Sequence, residues 1–230
     1  MARVFQEIII LKYKKFTIKM KSLNQYIIEK ILINKSSKFN KIKVESKDQL
    51  LSIIRRRYNN NKSFLDLTDL DISELDNLSS MFFKLYSMEV VNISGWDTSN
   101  VTTMAYMFSQ CKNLKNIIGI ENLDVSKLET ANFMFDSCEN LVELDLTNWN
   151  PILLKTAWSM FYRCSNLKII KNIENWQLTN IKDISYMFYN CVKLDVDLSN
   201  WDLTKIKDDF MKNRIFTNSG ITKNHYPKLV

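Results

Sequence analysis

The sequence predicts an α/β fold: a leucine-rich repeat solenoid of about six strand-turn-helix repeats, each 26–27 residues long, closed by helical end caps. Three observations carry this. Met-Phe recurs at 81/82, 107/108, 134/135, 160/161 and 187/188, with spacings of 26, 27, 26 and 27. Eleven residues before each Met stands Leu70, Trp96, Leu123, Trp149 or Trp176, and Trp201 opens a sixth, degenerate copy that loses the register near Phe210-Met211. Within LVELDLTNW, Leu141, Leu144 and Leu146 have L-x-x-L-x-L spacing, with Trp149 where that pattern usually carries Asn or Cys.

Each element follows from the pattern in chain order. The alternation Leu144, Asp145, Leu146 reads as a short strand with one face buried. After the Trp position comes a polar turn. Val101, Met104, Met107/Phe108 and Cys111 then follow in steps of three and four, which predicts a short helix with these residues on one face. One such unit cannot bury its apolar face, so neighbours must stack, with equivalent strands in a parallel sheet about 4.8 Å apart. A hydroxyl column, Ser73, Ser99, Ser126, Thr179 and Thr204, suits capping of the predicted helices, and Ser126 with Glu129 has capping-box spacing. Ile152, next to Pro151, interrupts that column, so the fourth turn should differ locally.

Stacked repeats need covers for their first and last exposed cores. Ser46-Lys47-Asp48-Gln49 has capping-box spacing and opens a predicted helix over 46–58, and residues 204–216 read as its C-terminal counterpart. The chain therefore divides into a basic lead-in (1–43), an N-terminal helical cap (44–62), the repeats (63–203) and a C-terminal cap and tail (204–230).

The repeat GWDTSNVTTMAYMFSQCKNL resembles those of the BspA-like leucine-rich repeat family of bacterial surface proteins, also met in Mycoplasma, protist and phage or viral chains. The leader VESKDQLLSIIRRRYNNNKSFLDLTDLDIS resembles the segment that precedes the repeats in many members, so the likeness runs from about residue 44 to 210. It implies an interaction surface, often adhesive, with no catalytic residues to carry over.

All four cysteines, Cys111, Cys138, Cys164 and Cys191, share one column that Leu85 fills in the first repeat, which marks a packing slot. No Cys-x-x-Cys pair exists and His225 is the sole histidine, so neither zinc nor another cofactor is expected. The Trp column also accepts leucine, at 70 and 123, and reads as core at the strand-to-turn corner.

The expected binding face is the concave side of the sheet, where residues between the buried aliphatics point outward. It comprises Asp66, Asn92, Glu121, Glu143, Asp145, Thr147, Asn172, Glu174 and Asp197, a short, polar, acidic set suited to a protein or glycan partner. A catalytic site needs a base beside a nucleophile or paired carboxylates in a pocket, and a lone tail histidine with a repeating acidic row assembles neither, so no enzyme is expected.

Charge is bipartite. Residues 1–62 hold 16 Lys and Arg against 4 Asp and Glu, and residues 63–230 hold 16 against 21, for a net +7. In the lead-in, Leu23, Ile27 and Ile31 fall four apart and predict an amphipathic helix over 22–33. Such a segment suits docking on the repeats, binding to nucleic acid or an anionic membrane, or an address tag for a virion. The run Ile8-Ile9-Ile10-Leu11 is too short for the apolar core of an export signal, and no stretch reaches a membrane span; Met20 is an alternative start. The expected location is therefore cytoplasmic or virion-associated, with the cell surface implied only by the resemblance.

Overall fold

The computed structural model describes residues 41–206, 208 and 214–227, and the chain divides into residues 1–40 and a second unit, 41–230. The helix expected over 22–33 and most of the lead-in lie outside the described residues. Lys41–Lys43, assigned above to the lead-in, belong instead to the repeat body. There β1 (Ile42–Lys43) pairs in parallel with β3 (Leu70–Asp71), and Lys41 Nζ reaches the Gly95 carbonyl at 2.5 Å.

The helix α1 covers Lys47–Asn60. Ser46 caps it by accepting the Gln49 N–H, while the Gln49 side chain accepts the Glu45 N–H at 2.8 Å. Leu50, Ile53 and Ile54, one helical face, are buried in the same core as the repeats.

The strands are β2 (Phe64–Asp66), β4 (Val90–Asn92), β5 (Asn116–Ile118), β6 (Glu143–Asp145) and β7 (Ile169–Lys171). Each pairing is parallel and joins residues 26 apart: Leu65 with Val91, Val91 with Ile117, and Leu144 with Ile170. The ladder is interrupted between β5 and β6. Beyond β5 the chain enters a 3₁₀ turn at Gly119, whose φ of 91° belongs to the left-handed region. A Cβ there would sit 2.7 Å from Ser94 Cα, so the position admits only glycine without a shift of the neighbouring repeat.

The helix expected in each repeat is not formed; α1 is the only α-helix among the described residues. Its place is taken by tandem turns. In the second repeat, Met107 N–H bonds Met104 O and Cys111 N–H bonds Phe108 O, with Tyr106 and Gln110 at φ 58° and 60°. A left-handed third residue is the mark of a type II turn. The intervening N–H groups point to the next repeat: Met104, Tyr106, Phe108 and Gln110 donate to Thr130, Asn132, Met134 and Asp136. In an α-helix the Phe108 N–H would go to Met104 O; here stacking offers Met134 O at 2.8 Å instead. Parallel bridges Asn77–Thr103–Thr130–Thr156–Asp183 extend this second ladder over five repeats. Two turns of four residues put Met104, Met107, Phe108 and Cys111 inside just as a helix does, which is why periodicity could not separate them.

The hydroxyl column consequently caps no helix. Ser73, Ser99, Ser126 and Thr204 donate their backbone N–H groups to the carboxylates of Asp71, Asp97, Asp124 and Asp202 two residues earlier, an Asx turn in each case. Glu129, the expected capping-box partner, instead pairs with Lys155 at 2.7 Å. The fourth turn differs, since Ile152 N–H bonds the backbone carbonyl of Asn150 and the Asn150 side chain accepts from Gln177 N–H.

The core is a set of columns running from repeat to repeat. Phe82, Phe108, Phe135, Phe161, Phe188 and Phe216 stack with centroid separations of 4.8–6.0 Å and interplanar angles of 7° or less. The sixth copy, expected to lose the register, carries Ile215-Phe216 in the Met-Phe slot, 28 residues after Met187-Phe188. Phe188 N–H bonds Ile215 O, and Tyr226 closes the stack at 4.2 Å. Of the helix expected over 204–216, residues 207 and 209–213 lie outside the described residues, while 204–205 and 214–218 form turns.

The Trp column is buried, and Trp96, Trp149 and Trp201 donate Nε1–H to the carbonyls of Leu67, Ile120 and Ile173 in the preceding repeat. Trp176 Nε1 has no partner, because the equivalent carbonyl, Leu146 O, accepts from the Asn172 side chain. Each buried cysteine thiol likewise donates to a phenylalanine carbonyl one repeat back, Cys138 to Phe108 O at 3.2 Å and Cys164 to Phe135 O at 3.0 Å.

Candidate binding surfaces

The residues expected to form the binding face do not form a uniform exposed row. Asn92 is 6% exposed and its side chain accepts the Ser94 N–H, so it belongs to the fold. Asp66, Asp145 and Asp197 make the same turn with Thr68, Thr147 and Ser199. Asn172 sits at φ 70° and spends its amide on the Leu146 and Trp149 carbonyls. Glu121 and Glu174 lie in matching 3₁₀ turns, where the neighbouring Asn122 and Asn175 amides donate to them. Much of the acidic row is therefore occupied in shaping the backbone.

At the centre of that row stands a lysine outside the expected set. Lys171 Nζ lies 2.8 Å from Glu143 and 3.0 Å from Asp145, and the two carboxylates raise its pKa, Glu143 first. Asp145 is held below the usual carboxylate range by the Thr147 hydroxyl and then by Lys171. The local charge is one carboxylate in excess, not two free acids. Strand register was the available signal: 145 and 171 are 26 apart.

The Asx carboxylates give the fold a pH signature. Asp71, Asp97, Asp145, Asp197 and Asp202 all have depressed pKa values, through bonds from Ser73, Ser99, Thr147, Ser199 and Thr204. An acid whose folded pKa is below its unfolded value of about 3.9 contributes stability above that value and loses it as pH falls through the folded pKa. The melting temperature should therefore be nearly level from about pH 7 to 5 and drop below about pH 4. Asp97→Asn retains the acceptor without the titration and should blunt the drop; thermal scans across pH that show no acid loss would exclude this role.

A second surface has no counterpart in the sequence reading. Phe83, Tyr106, Phe133 and Trp158 form a chain of side chains in contact on the outside of the tandem turns, with centroid separations of 6.4, 4.8 and 4.7 Å. Phe83, Tyr106 and Trp158 are 37–39% exposed. Lys84 lies over Phe83 at 4.9 Å, and Arg163 over Tyr162 at 5.1 Å. Only two of the rings share a column, Tyr106 and Phe133, each one before its Met; Phe83 stands one after Phe82 and Trp158 two before Met160, so the period does not join the four.

His225 meets Asp195 at 2.9 Å and Thr222 at 3.2 Å, both through Nδ1, so the ring cannot relay a proton between them. Among the described residues no group of three or more His, Cys, Asp or Glu side chains could hold a metal ion, and no helix is long and apolar enough to cross a membrane.

Residues 52–169 and 115–225 match the family described as Mycoplasma protein of unknown function, DUF285. The two matches together span most of the sequence, and the chain belongs to this family. No curated protein and no solved structure matches it.

Proposed function

We propose that this chain is a recognition module without enzymatic activity, a BspA-like leucine-rich repeat solenoid that binds a protein or glycan partner. The supporting observation is the pair of parallel ladders, which fix the backbone of every repeat and present rows of side chains at one-repeat steps. Within the acidic row, Glu143, Thr147 and Glu174 are the side chains proposed for contact, with Asp66, Asp145 and Asp197 shaping the turns. The excess of lysine and arginine over residues 1–62 supports a second reading, tethering to nucleic acid or an anionic membrane through residues 1–43.

The test is capture of partners from host extract by the immobilised full chain, followed by affinity measurement on the recovered partner. Glu143→Ala removes only an exposed ion pair and should change stability by less than about 0.5 kcal/mol while weakening binding. Asp145→Ala deletes a turn acceptor as well and should cost about 1 kcal/mol in urea unfolding. Binding that ignores Glu143→Ala but collapses as salt rises moves the function to the tethering reading.

A further inference from the structure

We propose that the stripe Phe83–Tyr106–Phe133–Trp158 is a docking surface for an acidic polypeptide segment that also carries apolar side chains. It rests on the reading of the chain as a recognition module, and adds a face and a partner chemistry that the acidic row does not supply.

The geometry of the rings selects the partner. Tyr106 and Phe133 lie 4.8 Å apart at 13°, so one face of each covers the other, and Phe83 and Trp158 flank the pair at 6.4 and 4.7 Å. Nucleobases and sugar rings bind aromatic residues through the ring face, and the two central rings here meet each other and their flanking rings instead. The ring edge is the positive end of the aromatic quadrupole and attracts carboxylate and carbonyl oxygens. Its surroundings have the same sign. Lys84 and Arg163 are exposed and, among the described residues, have no carboxylate within ion-pair distance. Asp136, an acid on which the Arg163 charge acts, is 9% exposed and accepts from the Ser109 and Ser137 hydroxyls at 3.0 and 2.8 Å. At the Phe83 end the stripe opens into a depression of about 230 Å³ whose walls include Leu51, Leu85, Lys47 and Arg55, adding apolar surface and two more cations.

The platform is rigid. Tyr106 N–H bonds Asn132 O, Phe133 N–H bonds Trp158 O, and the Asn132 side chain accepts the Trp158 N–H at 2.9 Å. Lys84 and Arg163 occupy the same column three repeats apart, about 14 Å, which an extended peptide covers in four to five residues at about 3.3 Å each. Carboxylates at that spacing reach both cations, while apolar side chains between them lie along the ring edges.

The experiment measures fluorescence anisotropy of a short labelled peptide alternating glutamate and leucine, titrated with the full chain. A lysine-leucine peptide, oligothymidylate, hyaluronate and phosphatidylserine vesicles are run beside it. The glutamate-leucine peptide should bind best, and Trp158→Ala should weaken it about tenfold or more. Lys84→Asn combined with Arg163→Asn should do the same without new backbone strain, since Asn190 and Asn218 hold this column at φ 59° and 55°. Glu143→Ala should leave it unchanged. Failure of the glutamate-leucine peptide to bind, equal binding of the lysine peptide, tighter binding of the nucleic acid, polysaccharide or vesicles, or indifference to the double Asn variant overturns the proposal. A partner captured from extract through Glu143 with no peptide binding sinks this surface alone; the absence of both sinks the recognition reading with it.

Discussion

Phe135→Ala should lower the stability of the chain by about 3–5 kcal/mol and its melting temperature by roughly 10 °C or more. Phe135 is fully buried, with Phe108 at 5.6 Å on one side and Phe161 at 5.4 Å on the other, nearly parallel to both. The substitution removes a whole ring from the transfer balance, leaves a cavity in the centre of a column, and ends two ring contacts at once. Position in the stack adds to the effect. Each repeat contacts only its neighbours, so a weak link in the middle separates two halves that are each less stable than the whole. Urea unfolding should show a lower midpoint and, if the halves uncouple, a broader transition. A loss below about 1 kcal/mol would mean that the column does not carry the core. Met134→Leu, a nearly volume-conserving change at the adjacent buried site, is the comparison and should cost less than about 1.5 kcal/mol.

The columns that build this core could be read from the sequence because each is a repeated side chain in a fixed slot. Met-Phe, Trp or Leu, and Cys or Leu need no knowledge of the backbone between them. What could not be read was the backbone itself. Steps of three and four fit a helix and a tandem of turns equally, and the deciding fact, that Phe108 N–H finds Met134 O in the next repeat, is a tertiary contact. The polar rows differ from expectation for a related reason. An aspartate two residues before a serine or threonine is a surface acid by composition and an Asx-turn acceptor by geometry, and at Asp66, Asp145 and Asp197 the geometry takes precedence.

The aromatic stripe shows the opposite failure. Only Tyr106 and Phe133 share a column, so the period does not assemble Phe83, Tyr106, Phe133 and Trp158 into one set, although every one lies within two residues of a Met-Phe pair. Contact between them arises because positive φ at Tyr106 and Phe133 turns those side chains outward beside each other. A non-glycine residue held in the left-handed region costs about 1 kcal/mol or more. Ten such residues recur in pairs four apart, from Ser80 and Lys84 to Tyr186 and Asn190, each set within a turn whose alternate N–H groups bond the next repeat. The inter-repeat ladder offsets the strain, which ties the exposed surface to the integrity of the stack.

The cysteines give the sharpest test of that integrity. Burial raises every thiol, Cys191 to about 12, so at pH 8 almost no thiolate is present in the folded chain. Alkylation must then wait for opening, and in the native state should run roughly a thousandfold or more slower than in denaturant, where four thiols should be counted. The sites should not be equivalent. Cys138 and Cys164 are in the middle of the stack and expose only when repeats on both sides separate, whereas Cys191 is covered on one side by the C-terminal turn, held through Gly220 N–H to Cys191 O. Stacked repeats open from their ends, so Cys191 should label first and Cys138 and Cys164 last, at a rate that follows global unfolding as urea is raised. Mass spectrometry of a labelling time course resolves the order. Rapid native labelling of Cys138, or one equivalent of zinc recovered with the purified chain, would show that this column is not simply packed core.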